Sequence, residues 1–287
     1  ILKSIDDPKD EIAPKSKLAD VDAQIEKDLI DAAAQLPGQW PSAYLGRATK
    51  GFANTLLGKL YIYQQQWAKA RTVLNDVIVS GVYQLNPSYD NEFTQAGNNS
   101  KESVFEIQVT YDFPTKYYNS FWESQGVRGT GSWDLGWGFN VPSPGLVAAY
   151  EANDVRKKTT IMESGKPDIY GILTLPKELP QPYWNGKAYT RPEERTKYNT
   201  NKNWWEDIKI IRYADTILLA AEAANETGNI ADATKFINMI RTRAGLPATT
   251  AATQNDMRNA IKQERRVEFA MEFERFYDLV RWGDAVN

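Results

Sequence analysis

The stretch LLGKLY at residues 56–61, followed by WAKARTVL at residues 67–74, repeats small and large apolar residues at helical spacing. Gly58 and Ala70 would let two helices approach closely, because neither side chain holds the backbones apart. The stretch therefore predicts two packed antiparallel helices joined by a short connection. The residues that carry this pattern are Leu57, Gly58, Tyr61, Ala70 and Leu74.

The same frame recurs 163 positions further along the chain, so the pattern is a repeat. Both copies are similar to a tetratricopeptide unit, in which L-G-x-x-Y on one helix is followed by A-x-x-x-F on the next. About three such units are normally needed to bury a core, so other helices must cover these two. The residues of the second copy are Ala221, Ala224, Ala233 and Ile237.

Hydrophobic spacing predicts more helices at both ends of the chain and fades in between. The middle is rich in Gly, Pro, Asn and aromatic residues, and it holds one short predicted helix with Ser143 as N-cap and Pro144 at the first position. The predicted helices cover 18–36, 46–64, 67–81, 210–227, 230–244 and 253–273, and a predicted half-buried strand covers 103–110.

These elements together predict a mainly α fold, with tetratricopeptide-like helix pairs, a long loop-rich aromatic middle region and few short strands. We expect a single domain over residues 1–287. Its parts would be a helical part at 1–110 with the first unit, the loop-rich region at 111–207, and a helical part at 208–287 with the second unit. A loop region of that length inside a compact domain is usually functional.

The composition of the 287 residues excludes several kinds of chemistry. The chain has no Cys and no His, which removes thiol nucleophiles, thiolate zinc sites and Ser-His-Asp triads. A net charge of −3 offers no basic field for nucleic acid, and no apolar run reaches the ~20 residues of a membrane span. We therefore predict no nucleic-acid partner, no metal site and no cofactor.

Four blocks of the sequence resemble the SusD/RagB family of outer-membrane glycan-binding lipoproteins, in the order in which the family has them. The last two blocks are the most specific. The blocks are GRATKGFANTLLGKLYIY (46–63) with WAKARTVLNDVIVSGVYQL (67–85), GWGFNVPSPGLVAAYEANDVRKKTTI (136–161), IRYADTILLAAEAANETGN (211–229) with INMIRTRAGLP (237–247), and ERRVEFAMEFERFYDLVRWGDA (264–285).

The resemblance implies a cell-surface protein that captures oligosaccharide and delivers it to a SusC-like TonB-dependent outer-membrane transporter, without catalysing a reaction. It also implies an outward-facing lipoprotein, held at the membrane only by an N-terminal lipid anchor that this chain does not contain. Members of the family usually have a lipidated Cys and a further helical region before the first block, and continue beyond the RWG signature. The resemblance thus implies that both termini are truncated.

Aromatic residues are concentrated at 111–140, where nine occur and the chain average of 12% predicts about four. Flat rings suit sugars, because the C–H face of a pyranose lies on the ring while polar neighbours bond the hydroxyls. The alternative is that the rings form a small core for the loop region. The predicted glycan-binding residues, chosen outside the best family-like blocks, are Tyr117, Tyr118, Trp122, Arg128, Trp133, Trp184, Asn203, Trp204 and Trp205.

The glycine-rich stretch GTGSWDLGWGFNVP at 129–142 holds two further rings, Trp137 and Phe139. Both lie in the middle family-like block. We therefore predict that they anchor the scaffold rather than contact ligand.

Two other functions remain open from the residues alone, a glycoside hydrolase with a carboxylate pair and a tetratricopeptide-type protein–protein scaffold. A hydrolase would need two carboxylates about 5–10 Å apart across a sugar cleft, and no motif singles out such a pair. Glu268 and Glu272 share a helical face near several arginines. We predict that this cluster is an ion-pair lattice tying the last helix to the repeats.

Overall fold

The computed structural model of the protein describes residues 15–111 and 118–285. The fold is mainly α with few short strands, which confirms the predicted fold class. The α-helices of the described part are α1 (Leu18–Gln35), α2 (Lys50–Tyr63), α3 (Trp67–Val79), α4 (Pro144–Val147), α5 (Val155–Thr160), α6 (Pro192–Tyr198), α7 (Tyr213–Glu226), α8 (Ile230–Arg243), α9 (Gln254–Glu268) and α10 (Glu274–Trp282). The strands are β1 (Ser103–Ile107), β2 (Ile161–Glu163), β3 (Tyr183–Asn185) and β4 (Ile208–Arg212).

The two repeat units pack as the small residues predict, α2 against α3 and α7 against α8. A Cβ atom added to Gly58 would lie 2.5 Å from the side chain of Leu74, so the two helices meet where glycine leaves room. Ala221 and Ala233 are the small residues at the corresponding positions of the second unit, and both are fully buried. The repeat frame is therefore confirmed in both halves of the chain.

The helix α7 lies at the centre of the main core. It packs against α3 of the first unit as well as against α8, and α9 covers both helices of the second unit. Thr55 in α2 and Thr216 in α7 share a buried hydrogen bond of 3.1 Å. Further helices thus cover the two units, as expected because about three units are normally needed to bury a core.

Three predicted helices are wrong in part. The helix expected at 46–64 begins only at Lys50. The helix expected at 210–227 begins only at Tyr213, because residues 208–212 form β4 and pair antiparallel with β1. The helix expected at 253–273 ends at Glu268, and α10 follows after a turn in which Met271 and Phe273 adopt φ angles of 69° and 68°. These left-handed residues are neither Gly nor Asn, so no sequence signal marks the break.

Arg212 ties the C-terminal helices to the sheet through buried ion pairs. Its guanidinium lies 2.6 Å from Glu102, 2.9 Å from Glu268 and 2.7 Å from Glu272. Burial alone would raise the pKa of Glu268, but Arg243, Arg212 and other cations outweigh it and hold the pKa well below its usual range. The predicted ion-pair lattice is confirmed.

The middle of the chain has a small core of its own. Antiparallel β2 and β3 pair Met162 with Trp184, and both side chains are buried with Leu175. The predicted cap is also present, since Ser143 Oγ accepts a hydrogen bond of 3.2 Å from the backbone N–H of Leu146. The loops of this region therefore pack on this small core, which can hold their exposed side chains in place.

Candidate functional site

Four of the tryptophans predicted to bind ligand lie in the interior instead. Trp184 is 0% exposed, and its indole N–H donates to Ser164 Oγ over 3.0 Å. A buried ring has no face to offer a sugar, so these side chains are packing residues of the loop region. This burial corrects the prediction for Trp122, Trp133, Trp184 and Trp205.

The remaining predicted residues divide into buried, exposed and undescribed ones. Asn203 is also buried, which removes it from direct contact with a ligand. Arg128 is exposed beside Asp134, with which it forms an isolated β-bridge. Tyr117 lies outside the described residues. Tyr118 and Trp204 reach the surface.

Tyr118 and Trp204 form an exposed aromatic pair. Their ring centroids are 4.5 Å apart and their planes are inclined by 28°, which is a stacked arrangement. Tyr118 is 52% exposed and Trp204 is partly exposed. The two rings therefore present a flat apolar surface with polar edges, the kind of surface that holds a sugar ring.

Trp137 and Phe139 are exposed, at 49% and 60%, whereas the sequence predicts that they anchor the scaffold. The backbone explains the difference. Their N–H groups donate to the carbonyl oxygens of Glu123 and Ser124, which ties the backbone down and leaves the rings outside. Gly138 between them has a φ of 76°, a conformation that glycine adopts without strain.

Glu123 connects the two pairs of rings. Its carboxylate accepts a hydrogen bond of 2.7 Å from Trp204 Nε1, and its carbonyl oxygen accepts one of 3.0 Å from the N–H of Trp137. Rings that are distant in sequence thus converge on one short segment. We give the name Glu123 face to the residues that this segment connects, which are Tyr118, Glu123, Trp137, Phe139, Lys202 and Trp204.

Charged groups accompany the rings on this face. Lys202 Nζ lies 2.8 Å from a carboxylate oxygen of Asp134 and 3.9 Å from one of Glu123. Asp134 is largely exposed, so its oxygens remain open to other donors. Rings for the apolar faces of a sugar and charged groups for its hydroxyls are therefore present together.

Buried acids lie behind the Trp204 segment. Burial raises the pKa of Glu206 to about 8, and Lys209 opposes this rise only in part. Burial likewise raises the pKa of Asp207 to about 6, while the N–H of Val109 donates to its carboxylate and lowers it. The segment that carries Trp204 is thus followed by two carboxyl groups that are costly to ionise.

Sequence reasoning missed the exposed rings of Trp137 and Phe139, although a signal was present. Both residues alternate with glycine in 136–139. A ring flanked by glycines has few local partners for burial. That pattern favours exposure, whereas membership in a family-like block led to the opposite prediction.

Residues 15–111 and 118–285 contain neither a metal-binding cluster nor a membrane-spanning helix. No cluster of three or more acidic side chains there could hold a metal ion. No helix within the same residues is long and apolar enough to cross a membrane.

The fold and the Glu123 face describe a helical-repeat protein that carries a loop-built aromatic surface. The SusD family model matches residues 177–287. Relatives found by sequence and by structure agree with it, and together these findings support the SusD/RagB-like family. The resemblance stated from the sequence blocks is confirmed.

The relatives are similar over most of this chain. A SusD-like protein of Bacteroides ovatus is 27% identical, covering 98% of this chain and 53% of its own length. A solved laminarin-binding SusD-like protein is 30% identical with a TM-score of 0.77, over 94% of this chain and 62% of that chain. Surface glycan-binding protein A of Bacteroides uniformis is 25% identical with a TM-score of 0.76, over 94% and 59%. The chain thus spans about half the length of the curated relatives it matches.

Proposed function

We propose that this chain belongs to a non-catalytic cell-surface protein that captures oligosaccharide on the Glu123 face. The observation that carries the proposal is the stacked pair of Tyr118 and Trp204, whose outer surface lies beside the charged groups of Glu123 and Lys202. Such a pair is already held in place, so a ligand loses little affinity to the ordering of side chains.

The names of two relatives support glycan as the ligand class. One is described as a laminarin-binding SusD-like protein and the other as a surface glycan-binding protein. Laminarin, a neutral glucan, is therefore the first ligand to test. Its glucose rings have the apolar C–H faces that stack on exposed aromatic side chains.

The proposal extends to a partner and a location that the family resemblance implies. The captured oligosaccharide would pass to a SusC-like TonB-dependent transporter, with the protein outward-facing on the outer membrane and anchored by lipid. Co-purification of the full-length protein with such a transporter from solubilised outer membranes tests this part. A full-length protein found only in the soluble fraction would contradict it.

The binding site is tested with Trp204→Ala, measured by affinity electrophoresis in laminarin and by thermal unfolding. We expect the variant to lose about 1–2 kcal/mol of binding free energy, the scale of one stacked ring. The control is Phe276→Ala, which removes a 66% exposed ring outside the Glu123 face and should bind like the parent. Equal retention of Trp204→Ala and the parent would contradict the proposal.

The same measurement distinguishes the proposed glycan binding from the alternative of a protein–protein scaffold. A scaffold would show no retention by any soluble polysaccharide, whichever variant is measured. Retention that depends on Trp204 excludes that alternative, because a scaffold surface has no reason to bind glycan.

A further inference from the structure

A cavity of about 270 Å³ lies between the segment that precedes α2 and the strand β1. Trp40 and Arg47 line it from the first side, and Ser103 and Phe105 line it from the strand. It shares no residue with the Glu123 face. Its volume is just below the roughly 300–1,000 Å³ of pockets for drug-sized ligands, so it suits a single sugar residue.

Arg47 holds a positive charge at this cavity by stacking on aromatic rings. Its guanidinium carbon lies 4.5 Å from the ring centroid of Tyr44 and 5.7 Å from that of Trp40. The indole N–H of Trp40 donates to the carbonyl oxygen of Ala48 over 2.7 Å, which keeps the ring in place. Within residues 15–111 and 118–285, no carboxylate pairs with Arg47. No other described residue accepts a hydrogen bond from its guanidinium either, so within this part of the chain its N–H donors can pair with an anion.

The other charges around the cavity leave it positive. Lys101 also lines it, is exposed, and has no ion pair in the described part of the chain. Glu106 is the one acidic side chain among the lining residues, and it is buried. Its two oxygens accept from the N–H of Asn99 and from Lys209 Nζ, so its charge is compensated internally. An anionic group that enters would meet two uncompensated cations.

Neutral groups suited to sugar hydroxyls complete the cavity. The side chains of Gln39 and Ser103 line it, and neither is hydrogen-bonded to another described residue. The ring of Trp40 is partly exposed and offers an apolar face. We propose that this cavity is a second saccharide site, selective for a sugar residue that bears a carboxylate or a sulfate group. The inference builds on the proposed function only in taking glycans as the ligand class.

The test is calorimetric titration of the full chain with three oligosaccharides of equal length. One is an oligogalacturonate, one a sulfated galactan fragment, and one a neutral laminari-oligosaccharide. Arg47→Gln removes the stacked charge from an exposed position, so the fold should be retained, and thermal unfolding checks this. We expect it to weaken anionic binding about tenfold, the scale of one charge-assisted hydrogen bond, and to leave neutral binding unchanged. Lys50→Gln is the control, because it removes a nearby exposed charge that does not line the cavity.

Binding of the carboxylated ligand, the sulfated ligand or both, with loss in Arg47→Gln, supports the second site. Preference for the carboxylate would indicate bidentate pairing with the guanidinium. Failure of both anionic ligands to bind, or binding that is equal in Arg47→Gln and the parent, overturns the inference. Trp204→Ala separates this result from the proposed function, because it should weaken the neutral ligand and spare the anionic ones.

Discussion

Trp204 Nε1 donates a hydrogen bond of 2.7 Å to Glu123 Oε2, across 81 positions of sequence. The bond orients the indole ring from its polar edge while Tyr118 stacks on its face. One carboxylate thus holds a ring that comes from a different loop. The Glu123 face depends on this pairing of two loops, which neither loop could provide alone.

Replacing Glu123 tests that dependence. Glu123→Ala removes the acceptor, and we expect about a fivefold weaker affinity for laminari-oligosaccharide, since a hydrogen bond contributes about 1 kcal/mol. Glu123→Gln keeps an oxygen acceptor and should weaken binding less. Glu163→Ala, which removes an exposed carboxylate elsewhere, serves as control. Similar titrations of the Ala variant and the parent would show that the ring needs no such support.

The hydrolase alternative has one specific pair to test, because Lys202 lies near both Glu123 and Asp134. We expect no release of reducing sugar from laminarin by the parent protein. The measurement is prolonged incubation followed by a reducing-end assay. Hydrolysis that disappears in Glu123→Gln or Asp134→Asn would assign those carboxylates to catalysis and reject the non-catalytic proposal.

The different exposure of the tryptophans predicts losses of stability that differ in size. Trp184→Ala should cost about 3–5 kcal/mol of unfolding free energy, the usual cost of deleting a fully buried aromatic ring. Trp137→Ala should cost less than about 1 kcal/mol, because half of its ring is exposed. Urea unfolding of both variants provides the comparison. Equal losses would mean that Trp137 is a packing residue after all.

Gly58 predicts a stability effect at the helix contact. Gly58→Ala places a Cβ 2.5 Å from Leu74, a fully buried side chain, and should destabilise the protein by about 1–3 kcal/mol despite the better helix propensity of alanine. Gly38→Ala is the matched control, since nothing lies within 4 Å of its added Cβ. A stabilised Gly58→Ala variant would show that α2 and α3 can separate without cost.

Glu206 predicts a pH dependence of stability. Its pKa is raised to about 8 by burial, so the folded state binds its proton more tightly than the unfolded state. The stability that the protonated carboxyl contributes is complete below a pH of about 4.5 and is lost as the pH rises through about 8, at about 1.4 kcal/mol per unit. Glu206→Gln should flatten this part of the profile, measured by urea unfolding at several pH values. Parallel profiles for variant and parent would contradict the shift.

The helix pairs could be predicted from sequence because their signal is local. Gly58, Ala70 and their counterparts lie at fixed spacing along amphipathic segments, and packing follows from that spacing. The strand β4 was missed because it has only five residues, and its three isoleucines, Ile208, Ile210 and Ile211, suit strand and helix alike. The break before α10 was missed because Met271 and Phe273 adopt left-handed angles although neither is a glycine or an asparagine.

The candidate site was predicted less well for a physical reason. Sequence shows that the middle region is rich in large rings, but burial depends on which loops meet. Trp204 and Trp205 are adjacent, yet Trp205 stacks on Tyr198 in the interior while Trp204 reaches the surface. Which of the two rings is buried depends on how the loops pair. Composition therefore identified the aromatic region, but not which of its residues are exposed.

The packing of α3 on α7 also bears on how the chain is made. Residues of α3 are synthesised well before those of α7, yet Leu74 and Ala70 become fully buried only in the assembled core. At about 5–20 residues per second, the inner face of α3 would wait roughly 7–30 s for its partner helix. For that interval the newly made half exposes apolar surface that the complete protein buries, which makes the unfinished chain prone to aggregation.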